Sequence, residues 1–292
     1  MAAIAYQNIH RRQLFHWVGR HIEIRAASGD FTDPLRKEYV DCLRNALKNG
    51  LWVKTPHDPD RLGDDSKDAH FQVNRPITCF TEWLVGESLP HTTRYGRLGL
   101  GFPRNFVFKR GGHPVVYVKG LRLGDQYTKN LLNLRELLED ERLPGILGAK
   151  ELADHKARLD YITHFAKWSR KPSAAKPRSR DSTRQIAKAG LIKAAERNFK
   201  RKFGQRQDLL EEREWRIVYH SSFRKYFVRN AERAAGPAYY IPFEPGEELF
   251  TVVLPDNRTV NMVMNDRSFV RQLYRADAPH VTVLSLEDIG TF

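Results

Sequence analysis

Cysteine is scarce in this chain: Cys42 and Cys79 are the only two among 292 residues. They stand far apart and form no paired metal-ligand spacing, so no disulfide framework is expected and a reducing cytoplasm fits best. Long apolar runs are missing as well. The stretch from Leu249 to Leu254, broken by Thr251, falls far short of a bilayer span. The opening "MAAIAYQNIHRRQLFHW" lacks the basic-then-apolar order of a secretory signal, so neither membrane insertion nor export is expected. No Gly-x-Ser-x-Gly elbow, Walker loop or His-Glu-x-x-His stands in the sequence. His155 and His164 are nine apart rather than four, so they make no helix-face metal pair, and no metal is expected. Acids are also in short supply, 35 against 49 Lys and Arg, which leaves a net charge of +14.

That excess is concentrated. From Lys167 to Arg206 stand fourteen Lys or Arg against Asp181 and Glu196, a local charge of +12. A field of that sign attracts phosphates. Arg178, Arg180, Arg184, Lys193, Arg197, Lys200, Arg201 and Lys202 are the candidate contacts to nucleic acid. A solvated basic face that keeps the protein soluble is the bland alternative.

The periodicity predicts an α+β chain. Arg11 to Ile24 reads as a short strand or two around "LFHW". Asp33 is placed to cap a helix with Pro34 in its first turn, Leu35, Tyr39, Leu43 and Leu47 recur every four residues, and Gly50 closes it. "LWVK", "ITCFTEWL", the glycine-alternating "YGRLGLGFP" and the valine-rich "HPVVYVKGL" read as strands. Residues 126–207 turn helical and basic, with the linker-like "SRKPSAAKPRSRDST" inside them. Strands return in "WRIVYH", "AYYIPF", "ELFTVVLP" and "HVTVLSL". The expected organisation is a core in two halves, 1–125 and 208–292, split by a helical insertion at 126–207. The halves share one mixed or antiparallel sheet system, because neither has strands enough to bury its own faces.

Three stretches could carry chemistry. His16, between two aromatics, has a ring that can anchor a ribose hydroxyl, or it is simply a satisfied core histidine. Thr81 and Glu82 close a strand, where side chains reach into clefts. Tyr95 offers an aromatic plane beside Gly96, Gly99 and Gly101, which would let a flat ligand approach the backbone, although packing explains glycines equally well. Finally "LLEEREWRIVY" sets Glu212 and Glu214 one residue apart at a strand start, so both carboxylates share a face. Such a pair can hold a sugar hydroxyl and stabilise an oxocarbenium-like state at a ribose carbon. The bland reading pairs Glu214 with Arg213 or Arg216 as a surface ion pair. A magnesium nuclease built on Glu212, Glu214 and Asp64 is a further alternative.

The order "FHW…ITCFTE…RYGRLGLGF…HPVVYV…EREWRIVY" resembles the bacterial AbiGi-type abortive phage infection proteins, discontinuously over roughly residues 10 to 220. More faintly, the chain is similar to ADP-ribosyltransferases such as the DarT toxins. That resemblance implies an ADP-ribosyltransferase-like core acting on NAD. His16 would hold the NAD ribose, Thr81 or Tyr95 would shape the nicotinamide pocket, Glu214 would be the catalytic carboxylate and Glu212 would contact the acceptor. The AbiGi resemblance equally implies a non-catalytic antitoxin or sensor that grips nucleic acid and answers to a cognate toxin or antitoxin protein. The "CFT" at 79–81 replaces the Ser-Thr-Ser of the transferases, and the long helical insertion departs from their compact domains.

Overall fold

The computed structural model describes residues 13–26, 31–54, 75–83, 92, 95–119, 130, 133, 134, 136–139, 148–163, 165–169, 213–230 and 239–289. Strand β1 (Gln13–Val18) is buried on both sides at its centre. Alternation sends Leu14, His16 and Val18 to one face and Gln13, Phe15 and Trp17 to the other. The rest of the region expected as strand is helix α1 (Arg20–Ala26). Gly19 turns the chain between them at φ +108, a value that suits glycine, and the Tyr39 ring fills the space a side chain would take.

Helix α2 (Asp33–Asn49) follows the four-residue repeat and buries Tyr39, Val40, Leu43 and Ala46. Its N-cap is Thr32, not Asp33, and Asp33 sits in the first turn, paired with Arg36 (3.0 Å) and Arg258 (2.6 Å). Gly50 ends the helix at φ +94, its N–H donating to the Ala46 carbonyl at 2.8 Å.

The remaining elements are β2 (Leu51–Val53), β3 (Ile77–Trp83), β4 (Leu98–Phe102), α3 (Arg104–Lys109), β5 (His113–Pro114), β6 (Val116–Lys119), α4 (Ala149–Thr163) and β7 (Ala166–Ser169). After these come β8 (Glu214–Val218), β9 (Val228–Arg229), β10 (Tyr239–Ile241), β11 (Thr251–Leu254), α5 (Asn257–Met264), α6 (Arg267–Leu273), β12 (Thr282–Ser285) and α7 (Leu286–Ile289). Among the described residues, a seven-stranded mixed sheet runs β12-β11-β4-β1-β3-β8-β5. Only β11 and β12 are parallel in it. Strands from before and after the insertion therefore lie side by side in one sheet.

"HPVVYVKGL" is not one strand. Pro114 has no N–H to continue a ladder. The Val115 N–H still reaches the Glu214 carbonyl (2.7 Å), and the chain then leaves to pair β6 in parallel with β7. Residues 166–168, expected as helix, and Ser169, expected as the start of the linker, are that β7 strand, so pairing overrides local pattern there. From α4, Tyr161 donates to the Gly111 carbonyl, its own hydroxyl pushed up to about 12 by burial.

One face of the large sheet holds the main core. Leu14, Phe80, Leu98, Leu100, Phe102, Val252 and Leu254 meet Tyr39 and Leu43 of α2, Phe106 of α3, Val263 of α5 and Phe269 of α6. A smaller cluster on the opposite face joins Phe15, Trp17 and Val253 to Leu286 and Ile289. The three-stranded sheet β2-β10-β9 adds Leu51, Val53 and Ile241 to the main core. No helix among the described residues is long and apolar enough to cross a membrane.

Candidate functional site

The candidate residues converge on β1, β3 and β8. Register fixes their neighbours: Phe15 lies opposite Thr81, and Thr81 lies opposite Glu214. These three share the face of the smaller cluster. His16 is one residue further along β1 and therefore points to the main-core face. Its ring lies 5.7 Å from Phe80, which stands opposite Trp215.

His16 is engaged by the protein itself. Its Nδ1–H donates to the Cys79 carbonyl at 2.9 Å. Burial pushes its pKa below the ordinary 6.5, the Cys79 hydrogen bond opposes that shift and the nearby Lys54 charge adds to it. The imidazole is thus held neutral in an apolar setting.

On the other face, the Thr81 hydroxyl accepts the Trp17 Nε1–H at 3.0 Å. Glu214 is 6% exposed and its Oε1 accepts from Nε of Arg216, itself 2% exposed, at 2.7 Å. The expected Glu214–Arg216 ion pair exists, but it is buried rather than on the surface. Two residues apart on a strand, both side chains leave the same face, and the carboxylate acts as counter-charge to a guanidinium removed from water. Tyr95 packs against the Phe15–Trp17 cluster. Thr81, Tyr95 and Glu214 thus lie on one side of the sheet and His16 on the other.

The glycines of "RYGRLGLGF" make room for protein, not for a ligand. A Cβ at Gly99 would lie 2.6 Å from the Trp17 ring, and one at Gly101 would lie 2.8 Å from the Phe15 ring. Gly96 turns at φ +111 against the Val18 backbone.

Glu82 belongs to the His16 face. It pairs with Arg104 and accepts the Trp215 Nε1–H at 3.0 Å. Two carboxylate–guanidinium pairs therefore brace opposite faces of the same strands. The Glu-x-Arg spacing of 214 and 216 was a readable signal for one of them; nothing local in the sequence announces that Arg104 would reach Glu82. Glu212 and Asp64 lie outside the described residues, as do Arg178, Arg180, Arg184, Lys193, Arg197, Lys200, Arg201 and Lys202. No group of three or more His, Cys, Asp or Glu among the described residues could hold a metal ion.

The His16 ring faces away from the Glu214 carboxylate, and that carboxylate accepts from Arg216. Residues 56–233 match the family model described as "Putative abortive phage resistance protein AbiGi, antitoxin". No curated protein and no solved structure matches the chain.

Proposed function

The chain belongs to the AbiGi family, and on that premise we propose that it is the antitoxin of an abortive phage infection pair, a non-catalytic protein that restrains a cognate toxin. Its basic segment, residues 167–206, would contact nucleic acid. One observation carries the reading: Glu214, the carboxylate best placed by sequence for transfer chemistry, serves as the buried counter-ion of Arg216 on the face opposite His16. ADP-ribosyl transfer from NAD would need an imidazole, a phenol and that carboxylate around one hollow. The pleat of β1 and the Glu214–Arg216 pair both argue against that reading.

The test has two arms. Co-expression with its cognate toxin should rescue growth, and the purified chain should release no nicotinamide from NAD. Nicotinamide release that disappears in Glu214→Gln while the fold is kept would replace the antitoxin with a transferase. The segment's role is tested separately: neutralising Lys200, Arg201 and Lys202 should weaken nucleic-acid binding and flatten its salt dependence.

A further inference from the structure

The sheet β2-β10-β9 sorts its side chains into two rows, because directly paired residues share a face. Trp52, Tyr240 and Val228 stand opposite one another and take the outer face. Val53, Tyr239 and Arg229 stand opposite one another on the face that Val53 and Ile241 turn into the core. This second row runs from inside to outside: Val53 is buried, Tyr239 half-buried and Arg229 exposed. Tyr219, just past the end of β8, joins it from the side. Its N–H donates to the Pro76 carbonyl at 2.9 Å, and its ring stacks on Tyr239, 4.0 Å between centroids and 16° between planes. Phe227 stands edge-on to both rings, at 5.1 and 6.5 Å.

The facing sides of the two phenol rings are occupied by each other, so the corner offers its hydroxyls. The Tyr239 hydroxyl lies within hydrogen-bonding reach of the Tyr219 hydroxyl, and Arg224 and Arg229 are close enough to favour the ionised Tyr219 phenol. In such a pair one hydroxyl donates to the other, and the accepting one keeps its own O–H for a further partner. Arg224, in the 3₁₀ helix Ser221–Tyr226, and Arg229, in β9, are exposed. Neither forms an ion pair with an acid among the described residues. The corner thus gathers hydrogen-bond donors and positive charge, and no described carboxylate answers them.

Such a set suits an anion with several acceptor oxygens. The guanidinium fork matches phosphate oxygens in pairs. A phosphate monoester carries close to two negative charges at neutral pH, which two guanidiniums answer, whereas a diester carries one. We infer that Arg224, Arg229 and the Tyr219–Tyr239 hydroxyl pair form a binding site for a phosphate monoester dianion. The guanidiniums meet the charge, and the phenol O–H left over from the pair donates to a phosphate oxygen. The ring stack, wedged by Phe227, keeps the two hydroxyls together before the ligand arrives. With the facing ring surfaces already taken, the site reads the phosphate group. Free phosphate and the 5′-phosphate of a nucleotide are its two sources. The inference rests neither on toxin restraint nor on residues 167–206.

The test is isothermal titration calorimetry of the full chain with inorganic phosphate, uridine 5′-monophosphate and dimethyl phosphate. The first two should bind, and dimethyl phosphate, a monoanionic diester, should bind about tenfold more weakly or worse. Arg224→Gln with Arg229→Gln should weaken phosphate about tenfold or more. Tyr219→Phe, which keeps the stack, should weaken it less. Neutralising Lys200, Arg201 and Lys202 should leave it unchanged. Equal affinity for phosphate and the nucleotide supports a site for the phosphate group alone, and tighter binding of the nucleotide supports the same site with a nucleoside beside it. Failure of both to bind would overturn the assignment, as would full affinity in the Arg224/Arg229 variant or a diester bound as well as phosphate. Loss of phosphate binding in the Lys200/Arg201/Lys202 variant would move it to the basic segment. Should the Arg224/Arg229 variant fold poorly, arginine modification of the unaltered chain with phenylglyoxal decides. Phosphate should shield Arg224 and Arg229, and equal modification with and without phosphate removes the site.

Discussion

On the seven-stranded sheet, Arg216 lies buried against Glu214, and Arg104 reaches across to Glu82. On the three-stranded sheet, Lys54 stands over an indole and Arg229 meets no acid among the described residues. In the first region each charge is answered by a carboxylate within the protein. In the second it is left at the surface beside half-buried rings. Removing a guanidinium from water leaves an uncompensated charge unless a carboxylate accompanies it, so a carboxylate on a central strand is more readily explained as a counter-ion than as a reagent. An exposed cation without an acid carries no such structural duty.

The largest effect should come from breaking the buried pair. Glu214→Gln or Arg216→Met alone should each cost about 3–5 kcal/mol, and the double variant should recover much of the loss. Urea unfolding of the two singles and the double measures this. Singles that cost under about 1 kcal/mol would reduce the pair to an exposed one and remove the contrast.

A smaller effect concerns His16, on the other face of the same strands. Its folded-state pKa lies below the ordinary 6.5, through burial first, against the Cys79 hydrogen bond and with Lys54 adding to the shift. The folded chain thus binds this proton less readily than the unfolded chain. Its contribution to stability is complete above that ordinary value and declines as pH falls through it. His16→Asn, which keeps a donor for the Cys79 carbonyl, should flatten the acid limb of stability against pH. An identical limb in both proteins would assign the loss to other groups, such as His21, whose pKa is also lowered by burial and by Arg25.

The smallest effect should be on the outer sheet. Lys54→Gln and Arg229→Gln should each change unfolding free energy by no more than about 0.5 kcal/mol. A large loss there would mean that these cations brace the fold as Arg216 does, and the two regions would no longer differ.

The body and end of helix α2 were legible in the sequence, because the repeat of Leu35, Tyr39, Leu43 and Leu47 and the closing Gly50 are local signals, while its cap fell one residue earlier, at Thr32. Strand β8 was legible as an element, and Glu214 as its first carboxylate. What the sequence could not reveal is register. Alternation tells which residues of one strand share a face, but the face that β1 shows to β8 depends on pairing through β3, and that placed His16 and Glu214 on opposite sides. The same limit hid the Trp52–Tyr240–Val228 row, whose members come from three distant segments, and the Glu82–Arg104 contact. "HPVVYVKGL" misled in another way, since its valines favour a strand while Pro114 splits it between two sheets.

The bare backbone of β4 has one more consequence. Because Trp17 and Phe15 lie over Gly99 and Gly101, the middle of the large sheet is assembled like a mortise, one strand hollowed to seat the aromatic tenons of its neighbour. A side chain at either position would meet β1 at once, Trp17 at 99 and both Gln13 and Phe15 at 101, so β1 would have to shift or change with it. Substitutions at 99 would therefore have to travel with 17, and those at 101 with 13 and 15.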